Sequence, residues 1–211
     1  MASGAKEIVL LDHGSGGRAT HQLLREVFFK AFGRPPELLD AALLGELPGP
    51  LAFTTDSFVV SPLFFPGGDI GSLAVHGTAN DLAMVGAEPL FFSCGVILEE
   101  GFPLADLRRV VHSMAEAAQA LGIQIVCGDT KVVPRGKGDG LYLNTAGVGR
   151  LLHTPAPHPS RIRPGDRVLV SGPVGEHGLA VLAAREGLPL KGLSSDSAPV
   201  WPLVKSLLEV L

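Results

Sequence analysis

The 211-residue chain has little that would mark it as secreted, membrane-bound or polyanion-coating. It has two cysteines, Cys94 and Cys127. They form neither a C-x-x-C pair nor a disulfide framework, so both are expected to be buried thiols in a reducing compartment. Basic residues number 17 against 21 acidic ones, a formal charge of −4. That leaves no surplus of Lys and Arg to displace the counterions of a nucleic acid. No uncharged run approaches the roughly 18–20 residues a membrane span needs. The first residues lack a basic segment followed by an apolar one, so no signal peptide is expected. These absences point to the cytoplasm. Aromatics are sparse at 6%, with one Trp and one Tyr.

What is present is a foldable, turn-rich composition. Apolar residues make up 46% and charged residues 18%, with 27 Gly and 17 Pro and no collagen-like period. Glu7–Leu11 reads as a short strand, and Asp12–Arg18 as a Gly-rich loop. Apolar residues from Leu23 to Phe32 recur at helical spacing, and Gly33-Arg34-Pro35-Pro36 stops them. Leu51–Asp56 and Phe58–Ser61 are strand-like. Asp69 is placed to cap a helix running through Ala87. Leu90–Leu98 is an apolar run bounded by Pro89 and Glu99.

Leu104, Leu107, Val110, Val111, Met114, Ala117, Ala118 and Leu121 fall at steps of three and one, the clearest amphipathic helix in the chain. Ile123–Val133 and Leu141–Leu152 are expected strands around the loop Pro134–Gly140. The Pro-rich stretch His153–Pro159 suggests a boundary, with residues 1–153 as one domain and 154–211 as the start of a second. A strand is expected at Arg167–Ser171, a helix through Glu186 and a last apolar stretch from Val200. The apolar runs Leu90–Leu98 and Leu141–Leu152 suggest strands covered on both faces, which favours a homodimer.

Four motifs carry candidate chemistry. In His13-Gly14-Ser15-Gly16-Gly17-Arg18, consecutive glycines would let backbone N–H groups approach a phosphate, though a plain flexible loop reads the same way. Asp56, in Thr54-Thr55-Asp56-Ser57, offers a carboxylate for Mg²⁺ at a strand end, or a turn cap. In His76-Gly77-Thr78-Ala79-Asn80-Asp81, Asn80 and Asp81 interrupt an apolar helical segment. A buried Asp81 would need a metal or a donor. His76 is a proton-transfer candidate or an ordinary core histidine. Gly128-Asp129-Thr130-Lys131 follows an apolar strand and offers a carboxylate beside a phosphate-neutralising cation, or a hairpin turn. With the basic loop of Arg135 and Lys137, the four sketch a Mg·nucleotide site.

HGSGG, TTDSF, VVSPLFFPGGDIG, HGTANDLAMVGAEP, EEG, GDTKVV and VSGPVGEHGLAVLAAREGL occur in that order and together resemble the HypE family of hydrogenase maturation factors. The GGDIG and NDLAM-GA segments also resemble the wider PurM superfamily. The resemblance implies an α+β fold. Its first part would be a PurM N-terminal-like domain, a mixed four-stranded sheet with helices that pairs into a dimeric β-barrel. An incomplete PurM C-terminal-like α+β domain would follow. The implied reaction is ATP-dependent dehydration of a thiocarboxamide on a C-terminal cysteine to a thiocyanate, which supplies cyanide for hydrogenase iron. HypF would be the carbamoyl donor and the HypC–HypD complex the acceptor.

On this resemblance His13, Gly14, Ser15, Gly16, Gly17, Asp56, Asn80, Asp81, Gly128, Asp129, Thr130 and Lys131 hold ATP. Asp56, Asp81 and Asp129 hold Mg²⁺, and His76, Asn80 and Lys131 act in catalysis. The family's acceptor cysteine has no counterpart after Cys127, so these residues alone are not expected to cyanate themselves. The alternatives are another ATP-dependent synthase or kinase of the superfamily, or a nucleotide-binding dimerisation module without turnover.

Overall fold

The computed structural model describes residues 7–35, 39, 41–188 and 191–210. Six strands are β1 (Leu51–Phe58), β2 (Phe64–Phe65), β3 (Gly68–Asp69), β4 (Ala87–Glu99), β5 (Gln124–Val133) and β6 (Leu141–Leu151). Six helices are α1 (Arg18–Leu23), α2 (Phe29–Phe32), α3 (Ile70–Met84), α4 (Leu104–Ala120), α5 (Glu176–Glu186) and α6 (Trp201–Leu208). A π-turn, Leu24–Phe28, joins α1 to α2.

Four strands form a mixed sheet in the order β1-β6-β4-β5, with β2 and β3 as a separate hairpin. β6 runs antiparallel to both β1 and β4, and β5 runs parallel to β4. The parallel pair needs a crossover, which α4 provides. Helices α3 and α4 cover one face. Phe92, Val96, Leu98, Leu141 and Leu143 meet Val75, Leu82, Leu107, Val110 and Met114 there in one buried cluster. Each such side chain contributes roughly 1.5–3 kcal/mol by leaving water. The α+β fold with a mixed four-stranded sheet is therefore as expected.

α3 begins where the sequence places it. Asp69 Oδ1 accepts the N–H groups of Gly71 at 2.8 Å and Ser72 at 3.1 Å, and Ser72 Oγ answers the Asp69 N–H at 3.2 Å. It ends at Met84, three residues short of the expected Ala87, because Gly86 turns the chain at φ +72°.

Several expectations are corrected. Glu7–Leu11 is not a strand of the sheet. Its one bridge is Ile8 to Pro103, and a proline without an N–H cannot extend the ladder. β1 stops at Phe58, so Phe58–Ser61 is not a strand of its own. β4 begins at Ala87 and takes Pro89 into its span, where the register with β6 shifts between Pro89 and Phe91. Arg167–Ser171 forms no strand, and Val168 and Leu169 are 91% and 86% exposed. Burial alternates along β4 and β6 rather than covering both faces, so the face away from the helices is open in a single chain. Cys94 is buried as expected, whereas Cys127 is exposed on that open face.

Candidate functional site

The Gly-rich loop is built against the end of β5. His13 accepts the Leu10 N–H on Nδ1 at 2.8 Å within a 3₁₀ turn, Leu11–Gly14. Ser15 Oγ donates to the Asp12 carbonyl at 2.9 Å, and the Gly16 N–H donates to Thr20 Oγ1 at 2.9 Å. A Cβ on Gly14 would stand 2.6 Å from the Val132 nitrogen, so only glycine lets this loop lie on β5. Val132 follows Lys131 directly. The first and fourth motifs, far apart in sequence, thus meet.

Within the fourth motif the strand sorts the side chains. Gly128 faces the Cys94 carbonyl, with no room for a Cβ, and Thr130 is buried toward the helices. Asp129 and Lys131 point to the open face, exposed, with Lys131 Nζ 3.0 Å from both carboxylate oxygens. Such a surface pair contributes little to stability, so Lys131 remains available to a stronger anion. In the basic loop, Arg135 lies over Gly101. Glu99 accepts the N–H groups of Gly136 and Gly140, and these bonds hold its carboxyl below the usual range.

Asp56 and Asp81 lie on one seam between β1 and α3. Thr54 Oγ1 donates to Asp81 Oδ2 at 3.0 Å. Asp56 Oδ1 accepts the Ser57 N–H at 2.8 Å, while Oδ2 points to Gly77, 3.7 Å from where a Cβ would be. That Cβ would also stand 2.9 Å from the Phe58 ring, so Gly77 sets how closely the helix approaches the strand. Among the described residues the seam presents two carboxylates and a hydroxyl, all oxygen ligands. This suits Mg²⁺, which takes one or two carboxylates and leaves its other positions to water and phosphate.

Asp129 does not join them. Ser57, Asn144, Gly95 and Asp129 lie in one row across the sheet, on the face opposite Asp56. Three strand spacings, about 14 Å, separate the two edges. Among the described residues no three His, Cys, Asp or Glu side chains gather closely enough to hold a metal ion. The expected set of three carboxylates is therefore not assembled within one chain.

Asn80 lies on another side of α3, under the segment leading to α6, with His76 one helical turn earlier. Asn80 Nδ2 donates to the Ala198 carbonyl at 3.0 Å, and its Oδ1 accepts the Val200 N–H at 2.8 Å. Its amide thus latches the chain in place of facing Asp81's seam. His76 Nδ1 is buried without a partner among the described residues. Burial pulls its imidazole below the ordinary value, and Asp69 opposes that shift.

Three residues with structural work at these sites escape sequence reasoning. Asn144 grips β1 from β6. Thr54 holds Asp81. Asp196 accepts three N–H groups, from Gly175, Glu176 and His177, at the start of α5, and these hold its carboxyl below the usual range. Only Thr54, the first residue of the Thr54-Thr55-Asp56-Ser57 motif, carried a local signal, though no role is expected of it from sequence.

Residues 39–151 match the family model for the AIR synthase related protein, N-terminal domain. The chain belongs to the AIR synthase related family. Among curated relatives, a carbamoyl dehydratase HypE of Azotobacter vinelandii is 51% identical over 213 residues, covering 99% of this chain and 61% of that protein. Among solved structures, hydrogenase maturation protein HypE in complex with ATP superposes with a TM-score of 0.91 at 54% identity, over 94% of this chain and 60% of that one. The HypE–HypF complex gives 0.73 at 47% identity, over 92% and 62%. The resemblance to HypE drawn from the motifs is borne out. The chain spans about three-fifths of the length of these relatives. No helix among the described residues is long and apolar enough to cross a membrane.

Proposed function

We propose that this chain is the nucleotide-binding part of an ATP-dependent carbamoyl dehydratase that works in nickel–iron hydrogenase maturation in the cytoplasm. The carrying observation is the likeness to the ATP-bound HypE structure over 94% of the chain, together with the meeting of the Gly-rich loop and the Lys131 end of β5. Residues 1–153 would hold the nucleotide and the pairing surface, and 154–211 would open a second domain. HypF, seen with HypE in a solved complex, would deliver the carbamoyl group, and HypC–HypD would accept the cyanide.

The reaction removes an amide-type oxygen, a poor leaving group, by phosphorylating it. This chain's residues serve that chemistry by position. Asp56 and Asp81, held by the Ser57 N–H and Thr54, would hold Mg²⁺, which when bound offsets charge on the phosphates. Lys131 would leave Asp129 for a phosphate. Gly14–Gly17 would close over it and exclude water from the activated intermediate. His76, whose imidazole burial pulls below its ordinary value, is the weaker candidate for proton transfer and would act by orienting its neighbours. Asn80, with both amide atoms engaged, would act by holding the chain near Ala198. A homodimer would cover the open sheet face, where Leu51 and Phe53 are 51% and 70% exposed. Asp129, Lys131 and the Gly14–Gly17 loop, all at the β5 edge, would reach a site shared with Asp56 and Asp81 only across that pairing.

A nucleotide-binding module without turnover is the second reading for these 211 residues. Burial pushes the Cys94 thiol up to about 12, and Cys127 sits within β5, so neither offers a mobile acceptor thiol. No mass shift is expected after incubation with HypF, carbamoyl phosphate and ATP. Titration with Mg·ATP by calorimetry tests the main reading. Binding should require Mg²⁺ and weaken about tenfold or more in Asp56→Asn and in Asp81→Asn. A folded dimer that binds no nucleotide would remove the site from this part of the protein.

A further inference from the structure

The Asp56 seam depends on a residue that carries no charge and lies on the other face of the sheet. Asn144 stands opposite Ser57 in the β1–β6 register. Its Nδ2 donates to the Asp56 carbonyl oxygen at 3.0 Å and to Ser57 Oγ at 2.9 Å, with Thr55 Oγ1 farther off at 3.4 Å. A side-chain amide nitrogen has two N–H groups, so the two shorter bonds use both. They act on the last residues of an edge strand, which β6 pairs on one side only.

The gripped peptide is the one that orients the carboxylate. The Asp56 carbonyl and the Ser57 N–H belong to the same planar unit, so fixing one fixes the other. The Ser57 N–H donates to Asp56 Oδ1 at 2.8 Å, which leaves Oδ2 toward α3 at Gly77. An amide on the open face therefore sets the direction of a carboxylate on the helix side.

We propose that Asn144 is a positioning residue: by clamping the Asp56–Ser57 peptide across the sheet, it holds the Asp56 carboxylate in the orientation that takes a phosphate-bound divalent cation. This rests on the reading of Asp56 as a ligand given above. Free Asp56 could rotate with its peptide and would meet the cation in fewer of its conformers, so the loss should appear as a demand for more cation.

The test measures ATP binding by calorimetry while Mg²⁺ is varied, in the wild type, Asn144→Ala, Asn144→Asp, Ser57→Ala and Asp56→Asn. Asn144→Asp keeps the size and removes the donor. Tyr142→Phe, altered on the same face of β6 and away from β1's last residues, serves as the control and should behave as wild type. Both Asn144 variants should raise the Mg²⁺ concentration for half-maximal binding about tenfold, and Ser57→Ala by a smaller factor. Affinity at saturating Mg²⁺ should change by less than about twofold. Ser57 amide exchange, followed by NMR, should quicken in both Asn144 variants whether or not nucleotide is present.

If Asp56→Asn raises the Mg²⁺ demand and the Asn144 variants do not, the proposal fails and the ligand reading stands. If Asp56→Asn changes nothing, the ligand reading fails and takes the proposal with it. A shift in Asn144 variants that comes only with a lost thermal transition or a lower mass by light scattering assigns Asn144 to architecture, which also overturns the proposal.

Discussion

Residues 51–151 and residues 154–208 contain similar apolar runs that end in opposite situations. In the first region Phe92, Leu98, Leu107 and Leu143 are buried against one another. In the second, Val168, Leu169 and Val170 are exposed, and the attachment rests on α6, where Trp201 and Leu208 pack on Ala83, together with a few polar clasps. β-propensity is high in both. What differs is the neighbour. A strand needs a partner edge and a covering layer, and β4 lies between β6 and β5 under two helices, whereas Arg167–Ser171 has neither among the described residues. Apolar sequence supplies the demand for burial, and topology decides whether it is met.

The contrast breaks most sharply in the core. Phe92→Ala should cost about 3–5 kcal/mol in urea unfolding, whereas Leu169→Asp should stay within about 0.5 kcal/mol. Equal effects would mean that the second region is as tightly held as the first. Next in size, Asp69→Ala removes a buried cap from α3 and should cost about 1–2 kcal/mol. The matching change Asp196→Ala should loosen α5 alone, read as faster amide exchange in Glu176–Glu186 with the sheet still protected.

The smallest effect is one of pH. Burial holds folded His76 below its ordinary value of 6.5, so the unfolded chain binds the proton first as pH falls. The stability tied to neutral His76 is complete above that value and declines as pH drops toward the folded one. Urea midpoints at about pH 7.5 and about pH 5.5 should converge in His76→Gln relative to wild type.

Much of the first region was readable because its signals are local. The steps of three and one from Leu104 gave α4, and Asp69 ahead of an apolar helix gave its cap. The failures are non-local. Asp56 lies near the end of β1, whereas Asp129 lies in the middle of β5, which continues to Val133; whether they share a face depends on strand parity and on two strands between them. Asn80 reads as a polar intrusion, and its partners Ala198 and Val200 lie 118 and 120 residues away. Asn144 carries no motif at all, because its meaning comes from register. Gly14, expected to hold ATP, and Gly77, which lies in a motif with no role of its own, each mark a place where chain must lie against chain.

The one tryptophan adds an experimental handle. Trp201 is buried on Ala83, one residue-pair along α3 from Asp81 and one turn from Asn80's clasp. Its indole emission is therefore a label-free optical gauge, sensitive to whether the segment from Ala198 to Leu208 stays seated when the far side of the same helical turn is occupied.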